Sequence, residues 1–380
     1  RVEARRFGDL GDVEQSPTDF LIGLDYPHLV ALRAPRPTLL IYNAEDDCCF
    51  RAPLVKPYIF DAVRPSYRLF GREDAFAWHE NTDPSDHNYQ LDNRLQAYRF
   101  FSRHFGLPPI EEEIPVDAEI KSYDELVVGL PKDNLTVLGL AKKLAGEVRR
   151  PPIPDEPSTR AAWAAAEREK LARVVRFAPV SVRHAWAVAN SKARGLETRS
   201  YRLEMSNRLS ATAVWLKAIS NPENAPITIA LNDKGKKESQ AEVSDRLNRG
   251  EQVLALDLLF NGDNVPAPGP VGYAQMLAAT GDRPLGLQAA QLIAAARWLR
   301  QTSGAARLRL ESRGIRNQVV ALIAAALAPG LFAETLVRDG MPGLRQLLDE
   351  PVTYQAAPAL FCLDLFKEFD LDRLAALHRE

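Results

Sequence analysis

The sequence predicts an α/β chain in which mostly parallel sheets are flanked by helices. Short continuous apolar runs, such as 37–43 and 225–231, are typical of strands buried on both faces of a parallel sheet. Segments rich in good helix formers lie between such runs, as at 158–175. This alternation indicates βαβ units, and 380 residues suffice for two domains of roughly 150 residues each.

Composition excludes several classes of protein. With 48 basic and 50 acidic residues, the formal net charge of −2 favours neither nucleic acid nor an anionic membrane as a partner. No apolar stretch reaches the roughly 20 residues that a membrane-spanning helix needs. Three cysteines, of which Cys48 and Cys49 are adjacent, provide neither a disulfide framework nor the ligand spacing of a metal site. The chain begins at Arg1, without a methionine or a signal-like segment, so we expect a fragment.

The strand at 37–43 is preceded by a short amphipathic helical turn and followed by an acidic stretch. His28 lies in that turn, where we expect it to cap the helix or to hydrogen-bond locally. The acidic stretch, 44–47, follows the strand directly. At least one carboxylate is therefore expected at the carboxyl edge of the strand, where open α/β sheets place their functional groups.

A second apolar run, 67–70, is interpreted as the next strand. It leads into a polar loop at 78–89 and then into a helix at 91–101, so that His87 comes just before a helix. Trp78 is placed in the same loop, either lining a substrate pocket or anchoring the loop. An acid after one strand and a histidine after the next is the chain order of the second half of a Ser-Asp-His triad.

The segments 36–50 and 86–89 resemble the C-terminal half of bacterial α/β-hydrolase esterases of the acetylxylan-esterase-like group. The resemblance implies that Asp46 orients the imidazole and that His87 is the general base, with Asp47 as the alternative acid. It also implies a small-molecule or polysaccharide ester as substrate and no metal or organic cofactor. Many relatives are exported, so the resemblance alone suggests a secreted or periplasmic protein.

The resemblance and the composition together imply the domain boundaries. Residues 1–107 are predicted to be the C-terminal half of an α/β-hydrolase domain, which ends where Pro108 and Pro109 stop the helix. Residues 108–157 are predicted to be a proline-marked linker that contains a helix. Residues 158–380 are predicted to be a second, degenerate and incomplete α/β-hydrolase-like domain.

The second domain shows two kinds of strand pattern. Alternating runs at 183–188, 197–205 and 211–219 predict antiparallel strands. Continuous apolar runs follow, with helical patterns between them, and predict a parallel arrangement. These strands are expected at 225–231, 252–258, 306–314 and 331–337.

Ser312 lies where the last two of these strands are joined by a helix, which is the setting of a nucleophile elbow. The elbow pattern is Gly-x-Ser-x-Gly, and here Leu310 replaces the first glycine while Gly314 provides the second. The only histidine after this strand is His378, close to the end of the chain, so no second triad is completed. We expect a degenerate domain; the alternative is a circularly permuted hydrolase in which Ser312, Asp46 and His87 converge.

The predicted function is serine carboxylic-ester hydrolysis, with deacetylation or deacylation of a carbohydrate such as acetylated xylan. The serine is expected to lie outside this chain, upstream of Arg1. Two other classes of function stay open. A prolyl-oligopeptidase-type peptidase would use the same half-site, and an inactive hydrolase scaffold that serves as a binding module would explain Leu310.

Overall fold

The computed structural model describes residues 15–305 and 307–379, which form two compact units that divide between Asn134 and Leu135. The division falls inside the segment 108–157 that was predicted to be a linker. Residues 1–14 of the predicted first domain lie outside the described residues, as do Ala306 and Glu380 of the predicted second domain.

The first unit is built on a pair of parallel strands. Its elements are α1 (Tyr26–Ala31), β1 (Thr38–Asn43), α2 (Ala52–Lys56), α3 (Ala62–Leu69), β2 (Phe76–Asn81), α4 (Leu91–Phe105) and α5 (Tyr123–Leu126), with a π-helical turn at Pro57–Asp61. The register of β1 and β2 runs from Thr38 opposite Phe76 to Asn43 opposite Asn81. Both strands therefore end at one edge, and the loops that follow them begin side by side.

The prediction of a strand at 67–70 is wrong, because Tyr67 lies in α3 and the second strand is β2. The ring of Tyr67 is fully buried and stacks on Phe76, with 4.6 Å between the centroids. Its hydroxyl donates to the carbonyl oxygen of Arg36 at 2.9 Å. The sequence pattern did not predict β2 because His79 and Glu80 interrupt its apolar run, as is usual where a strand is only half-buried.

Trp78 is likewise not in a loop. It belongs to β2, where its ring stacks on Tyr42 of β1 with 5.1 Å between the centroids. The polar loop thus begins after Asn81 rather than at Trp78. Of the two roles predicted for Trp78, packing is the one that this contact supports.

The second unit carries a seven-stranded sheet in the order β3-β4-β5-β7-β6-β8-β9. Five of these strands share one direction, while β3 and β5 run opposite to them. The strands are β3 (Val182–Ala193), β4 (Leu196–Met205), β5 (Ser210–Ala218), β6 (Ile227–Asn232), β7 (Gln252–Asp257), β8 (Leu308–Arg313) and β9 (Phe332–Arg338).

Helices flank this sheet. They are α6 (Val137–Glu147), α7 (Pro157–Val174), α8 (Gln240–Asn248), α9 (Val271–Ala279), α10 (Pro284–Ser303), α11 (Ile315–Leu327), α12 (Gln346–Asp349), α13 (Leu365–Glu368) and α14 (Leu371–Arg379). Every residue of β6 and β7 is buried, because these strands lie in the middle of the sheet. Helix α8 packs on both of them, and α11 packs on β8 and β9.

The strand predictions for the second unit are confirmed. The three alternating runs form the antiparallel strands β3, β4 and β5, and the apolar runs form the parallel strands β6 to β9. The predicted α/β class with a mostly parallel sheet flanked by helices is therefore correct. Within the described residues, the helices are all too short or too polar to cross a bilayer.

Candidate active site

Asp46 and His87 meet at the edge where β1 and β2 end. The distance from His87 Nδ1 to Asp46 Oδ2 is 3.1 Å, and that to Oδ1 is 3.3 Å. The side chain of Asp46 is 8% exposed and that of His87 is 57% exposed, so the carboxylate lies behind an imidazole that faces solvent. Because an ionised carboxylate only accepts, the proton of a neutral ring belongs on Nδ1 and the lone pair on Nε2.

The Asp46 carboxylate is fixed by the turn that follows it. Its Oδ1 accepts from the amides of Cys48 at 3.0 Å and Cys49 at 2.7 Å, and its Oδ2 accepts from Asn43 Nδ2 at 3.4 Å. Burial by itself raises the pKa of Asp46. The hydrogen bonds from Cys49, His87, Cys48 and Asn43 outweigh burial and bring that pKa below its ordinary value. Asp46 is therefore ionised at neutral pH.

Asp47, the other candidate acid, contacts a different part of the histidine. Its Oδ1 accepts from the backbone amide of His87 at 3.4 Å, whereas the imidazole faces Asp46. The two neighbouring carboxylates thus contact different groups of His87. Asp46 is placed to orient the ring, and Asp47 is placed to hold the loop that carries it.

An asparagine network, Asn43, Asn81, Asn88 and Asn93, secures the histidine loop and was not predicted from the sequence. Asn93 Nδ2 donates to Asn43 Oδ1 at 2.9 Å and to the Asn88 carbonyl oxygen at 3.1 Å. Asn88 Nδ2 donates to Asn81 Oδ1 at 3.2 Å. Since Asn43 and Asn81 end the two strands, the network ties both strand ends to the loop and to α4. The signal in the sequence was an asparagine at the end of each strand and at the start of the helix.

A second histidine–carboxylate pair lies nearby and was also missed. His79 Nε2 is 2.7 Å from Asp92 Oδ2, which also accepts from Asn81 Nδ2 at 2.9 Å. The bond from Asn81 is the largest cause that holds the pKa of Asp92 below its usual value. This pair links the middle of β2 to the first turn of α4, so its role is structural.

His28 has the local role expected of it, since its Nδ1 accepts from the Asp25 amide at 3.0 Å in a capping box of α1.

An open cleft of about 470 Å³ lies in front of the Asp46–His87 pair. Polar groups such as those of Asp46 and His87 contribute to its lining, but the walls are mostly aromatic and aliphatic, as is usual for a small-molecule site. The apolar and aromatic lining comprises Tyr26, Pro27, Ile41, Tyr42, Phe50, Val55, Tyr58 and Ile59. None of the described residues that line the cleft is a serine.

Ser312 lies inside β8, not at the turn that follows this strand. Its side chain is fully buried, and its hydroxyl has no hydrogen-bond partner in the part of the chain that the structure describes. A nucleophile has to reach a substrate, and Ser312 is enclosed by the sheet. The sharp turn falls instead at Gly314, which has a φ of +91° and precedes α11.

The space next to Gly314 is filled by Asp233, which follows β6. The Asp233 carboxylate accepts from the amides of Arg316 at 2.9 Å and Asn317 at 2.8 Å, and so caps α11. A Cβ atom at Gly314 would lie 2.4 Å from this carboxylate. A strand, a sharp turn and a helix thus follow one another here, but an acidic side chain occupies the position in front of the helix.

Two solved structures of esterases are similar to this chain. A candidate acetyl xylan esterase from Bacteroides fragilis NCTC 9343 matches with a TM-score of 0.52 and 13% identity, over 66% of this chain and 75% of that chain. A glucuronoyl esterase from Solibacter usitatus matches with a TM-score of 0.42 and 13% identity, over 61% and 78% of the two chains. No protein-family model and no curated protein matches the sequence. The resemblance to acetylxylan-esterase-like α/β-hydrolases is confirmed at the level of the fold.

Proposed function

We propose that the chain contributes the acid and the base of a serine carboxylic-ester hydrolase, with Asp46 and His87 in these roles. The observation that carries the proposal is the contact of 3.1 Å between His87 Nδ1 and the Asp46 carboxylate. It joins a buried, hydrogen-bonded carboxylate to a solvent-facing imidazole at the carboxyl edge of parallel strands. This is the arrangement that the second half of a Ser-Asp-His triad requires.

In the proposed reaction, His87 Nε2 accepts the hydroxyl proton of a serine as the serine oxygen attacks the ester carbonyl carbon. The imidazolium then returns the proton to the departing alcohol. In the second half of the reaction, a water takes the place of the serine hydroxyl and releases the acid. Throughout, Asp46 keeps the proton of the neutral ring on Nδ1 and stabilises the positive charge of the imidazolium.

The proposed serine is supplied from outside this chain. Two observations support this: none of the described residues that line the cleft is a serine, and Ser312 is buried in β8. The proposed substrate is an acyl ester of a carbohydrate. The candidate acetyl xylan esterase that shares the fold supports this class, and Tyr26, Tyr42 and Tyr58 offer the cleft apolar faces on which a sugar ring packs.

For the second unit we propose an inactive hydrolase scaffold that serves as a binding or interface module. Gly314 at the turn carries no nucleophilic side chain, and Asp233 fills the space in front of α11. An anionic intermediate would be repelled by that carboxylate and would find the two nearest amides already bound. These features favour a scaffold role over a second catalytic centre.

The test is hydrolysis of 4-nitrophenyl acetate, acetylated xylan and a proline-containing peptide by the protein that carries this chain. Labelling with a serine-directed phosphonate, mapped by mass spectrometry, identifies the nucleophile. A label outside residues 1–380 that is lost in the His87→Ala variant supports the proposal. A label on Ser312 overturns it in favour of the permuted hydrolase, and cleavage of the peptide alone overturns it in favour of a peptidase.

A further inference from the structure

Two thiols and the imidazole of the proposed base converge at one point of the first unit. One ligand atom from each of Cys48, Cys49 and His87 lies within 4.8 Å of the other two. Two thiols and an imidazole are a ligand set that Zn²⁺ takes in proteins, at about 2.3 Å from sulfur and about 2.0 Å from nitrogen. The adjacent cysteines predicted no metal site because the third donor comes from a loop that follows another strand.

A single carboxylate positions all three groups. The amides of Cys48 and Cys49 both donate to Asp46 Oδ1, and His87 Nδ1 faces the same carboxylate. Histidines that bind metals commonly donate their other ring N–H to a carboxylate, which fixes the tautomer and raises the basicity of the ligating nitrogen. The Asp46–His87 contact meets this requirement and leaves Nε2 as the ring nitrogen available to a metal.

The cysteine sulfurs lie 2.8 Å apart. Two sulfurs bound to one tetrahedral Zn²⁺ at 2.3 Å are about 3.8 Å apart, so binding requires them to separate by about 1 Å. Cys48 is exposed and Cys49 is partly exposed, so a change of side-chain rotamer opens this distance without disturbing a packed core. The fourth coordination position is left for water or for a ligand from outside the chain.

We propose that Cys48, Cys49 and His87 form a binding site for a thiophilic divalent cation, with Zn²⁺ as the physiological type. On binding, the two thiols lose their protons to solvent and both sulfurs and His87 Nε2 coordinate the ion. The nitrogen that binds the metal is the one that would accept the serine proton. The metal-loaded form is therefore inhibited, and this consequence alone rests on the proposed function.

The binding test uses Co²⁺ as a spectroscopic substitute in the reduced 380-residue chain. We expect thiolate-to-cobalt charge-transfer absorption, the intense visible bands of tetrahedral Co²⁺, and displacement by Zn²⁺. In Cys48→Ser and Cys49→Ser we expect the charge-transfer absorption to fall and the affinity for Zn²⁺ to drop at least tenfold. The matched control is Cys362→Ser, which changes the buried cysteine of the second unit and should leave binding unchanged.

A chemical protection experiment tests whether His87 is a ligand of the metal. Zn²⁺ should slow carbethoxylation of His87 by diethyl pyrocarbonate, while exposed His184 in β3 serves as the internal reference. The double variant Cys48→Ser/Cys49→Ser should lose this protection. Asp46→Asn should weaken Zn²⁺ binding by about 10- to 100-fold, because the carboxylate orients the ligating ring.

Either of two results overturns the metal site. One is an octahedral Co²⁺ spectrum without charge-transfer bands, and the other is an affinity for Zn²⁺ that is unchanged in both cysteine variants. Neither readout needs ester hydrolysis. If the proposed function is wrong, cobalt binding and the protection of His87 should still be observed. If the metal site is wrong, the result of the hydrolysis experiment does not change.

Discussion

The imidazole of His87 lies against the carboxylate of Asp46, with 3.1 Å between Nδ1 and Oδ2, although 40 residues separate the two in the chain. The parallel register of β1 and β2 produces this contact, because it brings the ends of the two strands side by side. The carboxylate also accepts the amides of Cys48 and Cys49. A change at Asp46 therefore affects the ring, the turn and the cysteine pair at once.

Separate replacements of Asp46 and His87 should distinguish the orienting acid from the general base. His87→Ala should abolish ester hydrolysis, because the proposed acceptor of the serine proton is lost. Asp46→Asn should lower kcat by about 10⁴-fold, since the amide favours the wrong tautomer of the ring. The matched control is Asp47→Asn, which keeps the partner of the imidazole and should retain most of the activity. A rate lost in Asp47→Asn and kept in Asp46→Asn would reverse the assignment of the acid.

Asn93→Ala should destabilise the first unit. Asn93 is fully buried, and its loss leaves the side-chain oxygen of Asn43 with only the longer hydrogen bond from Asn88 Nδ2, at 3.4 Å. The variant loses the two hydrogen bonds that Asn93 Nδ2 donates to Asn43 Oδ1 and to the Asn88 carbonyl oxygen, at a cost of about 0.5–1.5 kcal/mol each, although alanine is the better helix former. Urea denaturation followed by circular dichroism measures the change. Asn134→Ala, at an exposed position of the same unit, is the control, and equal midpoints for the two variants would contradict the network's role.

Gly314→Ala should destabilise the second unit more than Gly330→Ala does. Both glycines have positive φ, +91° and +73°, so alanine is strained at either position. Gly330 has open space around it, whereas a Cβ at Gly314 would collide with the Asp233 carboxylate that caps α11. We expect Gly330→Ala to cost about 1–2 kcal/mol and Gly314→Ala to cost about 1–3 kcal/mol more.

Thermal unfolding of the two glycine variants measures this difference. Equal losses would show that Asp233 moves aside without penalty and that the space before α11 is not rigidly filled. Such a result would weaken the argument that the second unit is inactive.

The stability of the second unit should fall as the pH is lowered through the range in which His378 titrates in the unfolded chain. His378 lies in the last turn of α14. Its burial is the largest cause that brings its pKa below the ordinary value of 6.5. The unfolded chain therefore binds the proton more readily than the folded one. The contribution of the neutral ring is fully present above pH 6.5 and is lost as the pH falls through the lowered folded pKa.

The matched variant is His378→Gln, which removes the titration and keeps a polar side chain. Urea midpoints measured from pH 8 to pH 5 should decline more steeply in the wild type than in the variant. Parallel curves would show that another group causes the acid sensitivity.

Some features of the site followed from the local pattern. The apolar run 37–43, followed directly by the acidic stretch 44–47, predicts an acid at the edge of a buried strand. The histidine just before a helix predicts the second polar group of the site. Periodicity reports which residues of an element face the core, and for that reason β3 to β9 were predicted correctly in type. The same reasoning placed a strand at 67–70 and missed β2, because His79 and Glu80 interrupt the apolar pattern of that strand.

By itself, then, the sequence determined the α/β class, the strand that precedes Asp46 and the loop that carries His87. Only the tertiary structure decided that Asp46 and not Asp47 faces the imidazole, that Ser312 is enclosed in β8, and that the two cysteines lie beside His87. The physical reason is the range of the interactions. Local patterns encode which face of an element is buried, whereas contacts between distant residues depend on the register of paired strands and on the turns that follow them.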